Sequence, residues 1–486
     1  MSQSKPDVAE HPSNESAAHS GISVIALLVA AAFFMEFIDG TVIATALPQM
    51  ALSFGVSAVD LNAGMSAYML TLAVLIPASG WAAERSGARN VFTFALGVFT
   101  LASLFCAMAS SVSEFIILRI IQGIGGALMV PVGRLTVLKT TPKPQLIKAI
   151  ATLTWPALVA PILGPPLGGF ITHYASWHWI FYINVPLGII AMILAWRLFP
   201  QARPAEPKHF DKRGFMLTGV AMLSLVTGLE LLSQDHILWV TATLLLVLGV
   251  VVSVLAIRHL YRASAPMVHL GSLVIPTFRV SMGGGSLFRV TISAVPFLLP
   301  LMLQVGFGMD PFHAGLLVLA VFAGNLAMKP ATTPLIRRFG FRPVLVVNGL
   351  LSVFSLLFCA FLTPGTPDWL VMLLLFLGGL CRSMQFTGIS TLAFSDVPAK
   401  QMADANTLFS TVLQLSVGLG ITVGALGTRL GEQLVNYMQW QAVPGMSYKI
   451  AFVVIALLTL IGWLDMLRLK PDAGATVSGK YLMGKG

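Results

Sequence analysis

Asp, Glu, Lys and Arg together make up only 10% of this 486-residue chain. So little charge does not coat a water-soluble globule, which excludes that class of fold. Cysteine is scarcer still. The three cysteines, Cys106, Cys359 and Cys381, lie inside apolar runs at unrelated spacings, so they announce neither a disulfide framework nor a metal site. An ATP-type phosphate loop is also missing, because Gly123-x-Gly125 lacks a third glycine and no soluble strand precedes it. With no defensible pairing of nucleophile and base either, the residues point away from an enzyme and call for no cofactor and no metal. The polar start, residues 1–20, lacks the basic opening of a signal peptide. We read it as a cytoplasmic tail before a retained first helix.

Apolar residues are in excess. They make up 56% of the chain, accompanied by 44 glycines and 28 prolines. A bilayer-crossing helix needs about 20 apolar residues, and fourteen runs meet that length, from Ile22–Leu47 to Tyr448–Leu467. Gly and Pro are tolerated in such spans because neighbouring helices satisfy the backbone. The expected fold is therefore an all-α polytopic membrane protein embedded in the lipid bilayer. A net charge of +10 would suggest nucleic acid as the partner of a soluble chain. Here the cations fall in loops after even-numbered runs, among them Arg85, Arg89, Lys139, Lys143, Lys148, Arg337, Arg338 and Arg342. Loops after odd-numbered runs carry Asp60, Glu114, Asp235, Asp310 and Asp368. This asymmetry places both termini in the cytoplasm and leaves no basic face for nucleic acid. Trp177 and Trp179 fall where an outer aromatic belt is expected.

Glu36 and Asp39 stand inside the first run, where each ionisable group costs about 2.5 to 3.5 kcal/mol to insert. Their spacing puts both on one helix face. Facing a watery interior, such a pair suits proton binding and release, whereas a purely structural pair would need one acid only. Other charges inside the runs are Arg119, Arg134, Glu230, Arg289, Lys329 and Arg382. Arg119 either pairs with a carboxylate or snorkels to the outer headgroups. Arg134 and Lys329 are near enough to the cytoplasmic ends to snorkel. Arg289 and Arg382 lie deeper and suit either a carboxylate partner or an anionic substrate.

The chain also repeats. Glu84-Arg85-Ser86-Gly87-Ala88-Arg89 after the second run matches Arg337-Arg338-Phe339-Gly340-Phe341-Arg342 after the tenth. With the seventh and eighth runs set aside as an insert, the two turns occupy the same place in two six-helix halves. Such a duplication, with a site at the midplane, is a secondary-transporter plan. The division expected is a tail (1–20), a six-helix bundle (21–200), a linker with an inserted helix pair (201–264), a second six-helix bundle (265–470) and a tail (471–486).

Several stretches resemble the major facilitator superfamily in its fourteen-helix drug:proton antiporter branch, the QacA and EmrB type. Asp39-x-Thr41 with Ala46-Leu47-Pro48 resembles the first-helix motif, departing at Ala44, where the branch usually has Asn. Gly80-Trp81-Ala82-Ala83-Glu84-Arg85-Ser86-Gly87-Ala88-Arg89 resembles the signature loop between the second and third helices, with Glu84 for the usual Asp. Arg119-Ile120-Ile121-Gln122-Gly123 resembles the fourth-helix motif. Pro161-Ile162-Leu163-Gly164-Pro165-Pro166-Leu167-Gly168-Gly169 resembles the fifth-helix antiporter motif, found in exporters. The resemblance implies two six-helix bundles plus two inserted helices, moving a small-molecule substrate against protons as a monomer. It gives proton coupling to Asp39, Glu36 and Arg119, and a conformational latch to Gly80, Glu84, Arg85, Gly87 and Arg89. The antiporter motif falls on Pro161, Gly164, Pro165, Gly168 and Gly169, and the substrate cavity on Thr41, Gln122, Arg289 and Arg382. An apolar cavity suits lipophilic, cationic drugs, while the positive second half leaves anionic substrates open. The alternative is a carrier of one specific metabolite. Whether a periplasmic adaptor protein takes part stays open.

Overall fold

The computed structural model describes residues 24–56, 58–201, 209–233, 238–439 and 443–479. Fourteen long helices dominate them, with no strand among the described residues. They are α1 (Val24–Phe54), α2 (Ala58–Leu75), α3 (Ala88–Cys106), α4 (Val112–Thr140), α5 (Leu146–Tyr174), α6 (Asn184–Leu198) and α7 (Lys212–Ser233), then α8 (Trp239–Arg262), α9 (Gly284–Leu301), α10 (Pro311–Phe339), α11 (Phe341–Phe361), α12 (Asp368–Ser395), α13 (Met402–Met438) and α14 (Met446–Met466). Among the described residues, thirteen spans are long and apolar enough to cross a membrane. The helix α5 is a further uninterrupted stretch of 29 residues. Residues 1–20, the linker positions 202–208 and the last residues of the second tail lie outside the described residues.

The helices pack in two matching sets. In the first, α1 lies along α5, α4 lies between α2 and α3, and α6 closes against α1 and α3. In the second, α9 lies along α13, α12 lies between α10 and α11, and α14 closes against α9 and α11. The two repeated turns show why the sequence doubles. Gly87 and Gly340 precede α3 and α11 with φ of 80° and 86°, in the left-handed region that side-chain-bearing residues avoid. Each is a sharp reversal that only glycine makes cheaply.

The inserted pair behaves differently. The helices α7 and α8 pack on each other, and α7 rests against both α2 and α13. On α8 the side chains of Val240, Leu244, Val247 and Val251 are more than half exposed, which gives that helix a lipid-facing surface. At its start, Asp211 accepts from the Gly214 amide at 2.8 Å and bonds His259 Nε2 at 2.9 Å. Burial pushes the Asp211 carboxyl up, but these bonds outweigh it and hold the group below the usual carboxylate value.

The apolar core is continuous at one end and divided at the other. At the end carrying the Arg85 and Arg337 loops, called the basic end below, one cluster joins both sets through Phe92, Leu138, Phe278, Phe341 and Phe409. Toward the opposite end it splits into Ile43, Phe115 and Phe181 in the first set and Leu298, Leu317 and Phe452 in the second. Trp177 departs from its expected place at an aromatic belt. Its ring is 3% exposed, and its indole N–H donates to Ser53 Oγ at 3.0 Å. Trp179 is well exposed.

Candidate functional site

The deepest charged cluster lies among α1, α2, α3, α4 and α6. Asp39 and Arg119 are each 1% exposed and form an ion pair, Nη1 to Oδ2, of 2.6 Å. The other oxygen of Asp39 accepts from Gln122 Nε2 at 3.0 Å and Asn184 Nδ2 at 2.9 Å. Arg119 also donates to Gln122 Oε1 at 2.6 Å, and its guanidinium lies 4.3 Å from the centre of the Tyr68 ring. Of the two places open to Arg119, the ion pair is the one found. The reason is energetic, since a desolvated guanidinium needs both a carboxylate and fixed acceptors. Ser103 supports the network from behind, accepting from Asn184 at 3.1 Å and donating to the Phe181 carbonyl at 3.0 Å.

Glu36 sits one turn away on the same face of α1 and is 8% exposed. Its Oε2 and the Tyr68 hydroxyl are both buried and, apart from each other, have no hydrogen-bond partner among the described residues. They stand beside each other near Gly126, where an added methyl would come within 2.9 Å of the Tyr68 oxygen and 3.5 Å of the Glu36 carboxyl carbon. The two acids therefore have different surroundings: Asp39 is saturated with donors, and Glu36 is not.

The fifth helix is pressed against this site. Thr41 donates to the Ala160 carbonyl at 3.2 Å, and a methyl on Gly164 would meet Thr41 Cβ at 2.7 Å. Gly164 thus lets α5 lie against α1 two residues from Asp39. Gly168 is buried, whereas Gly169 is exposed with nothing within 4 Å of where its Cβ would be. The side chains of Pro161 and Pro165 lie outside the described ones; both residues are in the continuous helix.

The signature loop is at the basic end. Gly80 allows the approach of α13, since an added methyl would overlap the Thr407 hydroxyl. Glu84 and Arg85 lie in the short helix Ser79–Ser86. Arg85 stacks over Trp81 and Arg89 over Trp196, both within the first set. Bonds that cross between the sets also come from two residues to which the sequence gives no part in the latch, Lys143 and Arg337. Lys143 Nζ donates to the carbonyls of Phe394, Ser395 and Val397 at 2.9, 2.7 and 3.2 Å. Arg337 reaches back to the Pro144 carbonyl at 2.7 Å. Burial holds the Lys143 ammonium below the usual lysine value, while Asp396 acts in the opposite sense. The signal was present in principle, because the last carbonyls of a helix lack internal partners and attract a cation. Neither Arg134 nor Lys329 snorkels. Across the seam between the sets, Arg134 donates to Ser410 at 3.0 Å and Lys329 to Thr154 at 2.7 Å; within the second set Lys329 also donates to Thr387 at 3.0 Å.

Of the remaining cavity candidates, Arg289 is 1% exposed, donates to the Ser281 carbonyl at 2.9 Å and lies over the Phe409 ring at 4.5 Å. Arg382 lines a separate cavity within the second set. Glu230 of α7 accepts from Ser66 of α2. Thus Asp39, Glu36, Arg119, Gln122 and Thr41 come together, while Arg289 and Arg382 belong elsewhere. Among the described residues no cluster could hold a metal ion.

A family model described as the Major Facilitator Superfamily matches residues 29–285 and 281–480. The chain belongs to the major facilitator superfamily. It is 40% identical over 402 residues to the multidrug resistance protein MdtD of Citrobacter koseri, covering 82% of this chain and 84% of that one. The MdtD of Escherichia coli matches at the same identity and coverage. Among solved structures, the proton:xylose symporter XylE superposes with a TM-score of 0.62 at 16% identity, over 94% of this chain and 98% of that one. The human organic anion transporter MFSD10 does so with 0.60 at 13%, over 91% and 97%. These structures share the fold. This superfamily member is a multi-pass transporter of the bacterial inner membrane for small-molecule substrates, not an enzyme.

Proposed function

We propose that this transporter is a proton-coupled antiporter that exports lipophilic small molecules, drugs among them, by alternating access. The observation that carries the proposal is the pairing of a saturated acid with an unsaturated one on a single face of α1. Asp39 accepts from three donors, Arg119, Gln122 and Asn184. Glu36, whose Oε2 has no donor beyond the Tyr68 hydroxyl, has room for a proton. Proton arrival at Glu36 changes the charge one turn from the Asp39–Arg119 pair and hence the packing of α1 against α4 and α5. Those helices carry the change to the seam, because α4 and α5 both bond across it.

In this reading the basic end is cytoplasmic, and residues 21–200 and 265–470 are the two moving bundles of a monomer with fourteen crossings. The structure is then closed to the cytoplasm, with Gly80, Lys143 and Arg337 at the closure. Substrate released outward is replaced by a proton from the more acidic side. The relatives named for multidrug resistance support drugs as cargo. Positive charge on the cargo fits less well than the sequence alone suggests, because Arg134, Arg289, Lys329 and Arg382 face the interior without an ion-pair partner among the described residues.

The test is protection of a bacterial strain stripped of its efflux pumps, challenged with lipophilic cations, neutral drugs and lipophilic acids. Protection that disappears in Asp39→Asn and Glu36→Gln at matched expression supports the proposal. Protection against nothing in the panel favours a carrier of one specific metabolite.

A further inference from the structure

The two halves can be aligned by their close helix contacts. In the first set, Gly123 of α4 packs on the Tyr68 carbonyl and Thr71 of α2; in the second, Gly379 of α12 packs on Val321 and Asn325 of α10. Likewise Gly164 of α5 packs on Thr41 of α1, and Gly420 of α13 on Ser293 of α9. Counting from these anchors, Arg382 takes the place of Gly126, Val321 that of Tyr68, Phe288 that of Glu36 and Thr291 that of Asp39. The positions that hold two carboxylates in the first half hold an apolar ring and a hydroxyl in the second. Arg382, at the middle of α12, gains no counter-charge from this exchange.

The same four residues line a cavity of about 50 Å³ among α9, α10, α11 and α12. Its walls are mostly apolar, with Ile292, Leu356 and Leu375 prominent. The hydroxyls within it already donate to helix carbonyls: Thr291 to Phe288 at 2.9 Å, Ser352 to Asn348 at 2.9 Å and Ser355 to Ser352 at 3.2 Å. In contrast, Nε and Nη1 of Arg382 are buried with no partner among the described residues. The donors left over lie on two edges of a guanidinium, a cation whose N–H groups make strong charge-assisted bonds to a carboxylate.

We propose that this cavity binds a carboxylate carried on a compact apolar body, which supplies to Arg382 the anion that the second half of the chain lacks. Arg382 is thirteen residues from the end of α12, about 20 Å at 1.5 Å per residue. A lipid headgroup does not reach that depth, so the ligand is a free carboxylate. This deepens the transport reading by adding lipophilic acids to the cargo, and it rests on that reading only for its physiological sense.

The experiment is calorimetric titration of the purified full-length chain, in nanodiscs of zwitterionic lipid, with benzoate and with the uncharged isostere benzamide. Saturable benzoate binding without benzamide binding is expected. Arg382→Gln should weaken benzoate binding at least about tenfold. Thr291→Asp, which places a carboxylate beside Arg382 as Asp39 stands beside Arg119, should abolish it while leaving the arginine in place and the thermal stability undiminished. Benzoate binding unchanged in both variants, equal binding of benzamide, or no binding at all overturns the proposal. Loss of benzoate binding when phosphatidylglycerol replaces the zwitterionic lipid makes a lipid headgroup the occupant and also overturns it. Flux assays are separate: binding that survives Glu36→Gln while proton-driven transport does not supports the site whatever becomes of the coupling.

Discussion

The ion pair of Asp39 and Arg119 illustrates how membrane burial decides side-chain geometry. Neither charge has access to water, so each is held by the other and by amides that fill the remaining valences. Removing one partner strands its mate. Arg119→Ala should therefore destabilise the protein by roughly 3 to 5 kcal/mol, as for other broken buried pairs. Thermal unfolding in detergent measures this, and a shift within error of wild type would contradict the account. The two acids and Arg119 were legible in the sequence because charges inside apolar runs are conspicuous. Ser103, Asn184 and Tyr68 were not, since a lone polar residue in a span is common and nothing in its own neighbourhood says which helix it will meet. Their roles follow only from the packing of α2, α3 and α6 around the pair.

At the scale of the helix, glycine spacing controls which neighbours come close. Gly164 and Gly169 belong to one motif but have different surroundings, one pressed on Thr41 and the other facing open space. Gly164→Val should separate α1 from α5 beside Asp39 and remove export, whereas Gly169→Ala should leave it within twofold of wild type. Drug-protection assays at matched expression read both, and equal effects would deny the contact its importance. The hydropathy of the chain revealed nearly every helix and the repeated turns, because length and apolarity are local properties. It misplaced Trp177, Arg134 and Lys329. Position in the sequence puts Trp177 at an interface because it lies between two runs, and Arg134 and Lys329 there because they lie near the ends of theirs. Each instead makes a tertiary hydrogen bond, which is stronger in a dry setting than exposure to a distant headgroup region.

For the molecule as a whole, the single cluster at the basic end and the two clusters opposite it describe a structure shut on one side. Lys143 makes three bonds to the end of α12 and the segment just after it, joining the two sets. Lys143→Met should therefore shift the population toward opening at that end. Spin labels at positions 139 and 400, on opposite sides of the seam, would report longer distances in the variant than in the parent, and unchanged distributions would show that the closure stands without it. The inserted pair adds a second connection. Glu230 bonds Ser66 of α2, while Thr422 and Arg429 of α13 donate to the Leu229 and Leu232 carbonyls at 3.0 Å each. One end of α7 thus links the two sets away from the basic end. Transport in this protein is driven, on the reading proposed above, by a proton taken up near Glu36. The most direct measurement is substrate efflux and internal pH followed together in proteoliposomes under an imposed pH gradient, with wild type beside Glu36→Gln. The account predicts coupled movement of substrate and protons in the wild type, and in the variant substrate exchange that no longer responds to the gradient. Coupling that is equally strong in Glu36→Gln would contradict it.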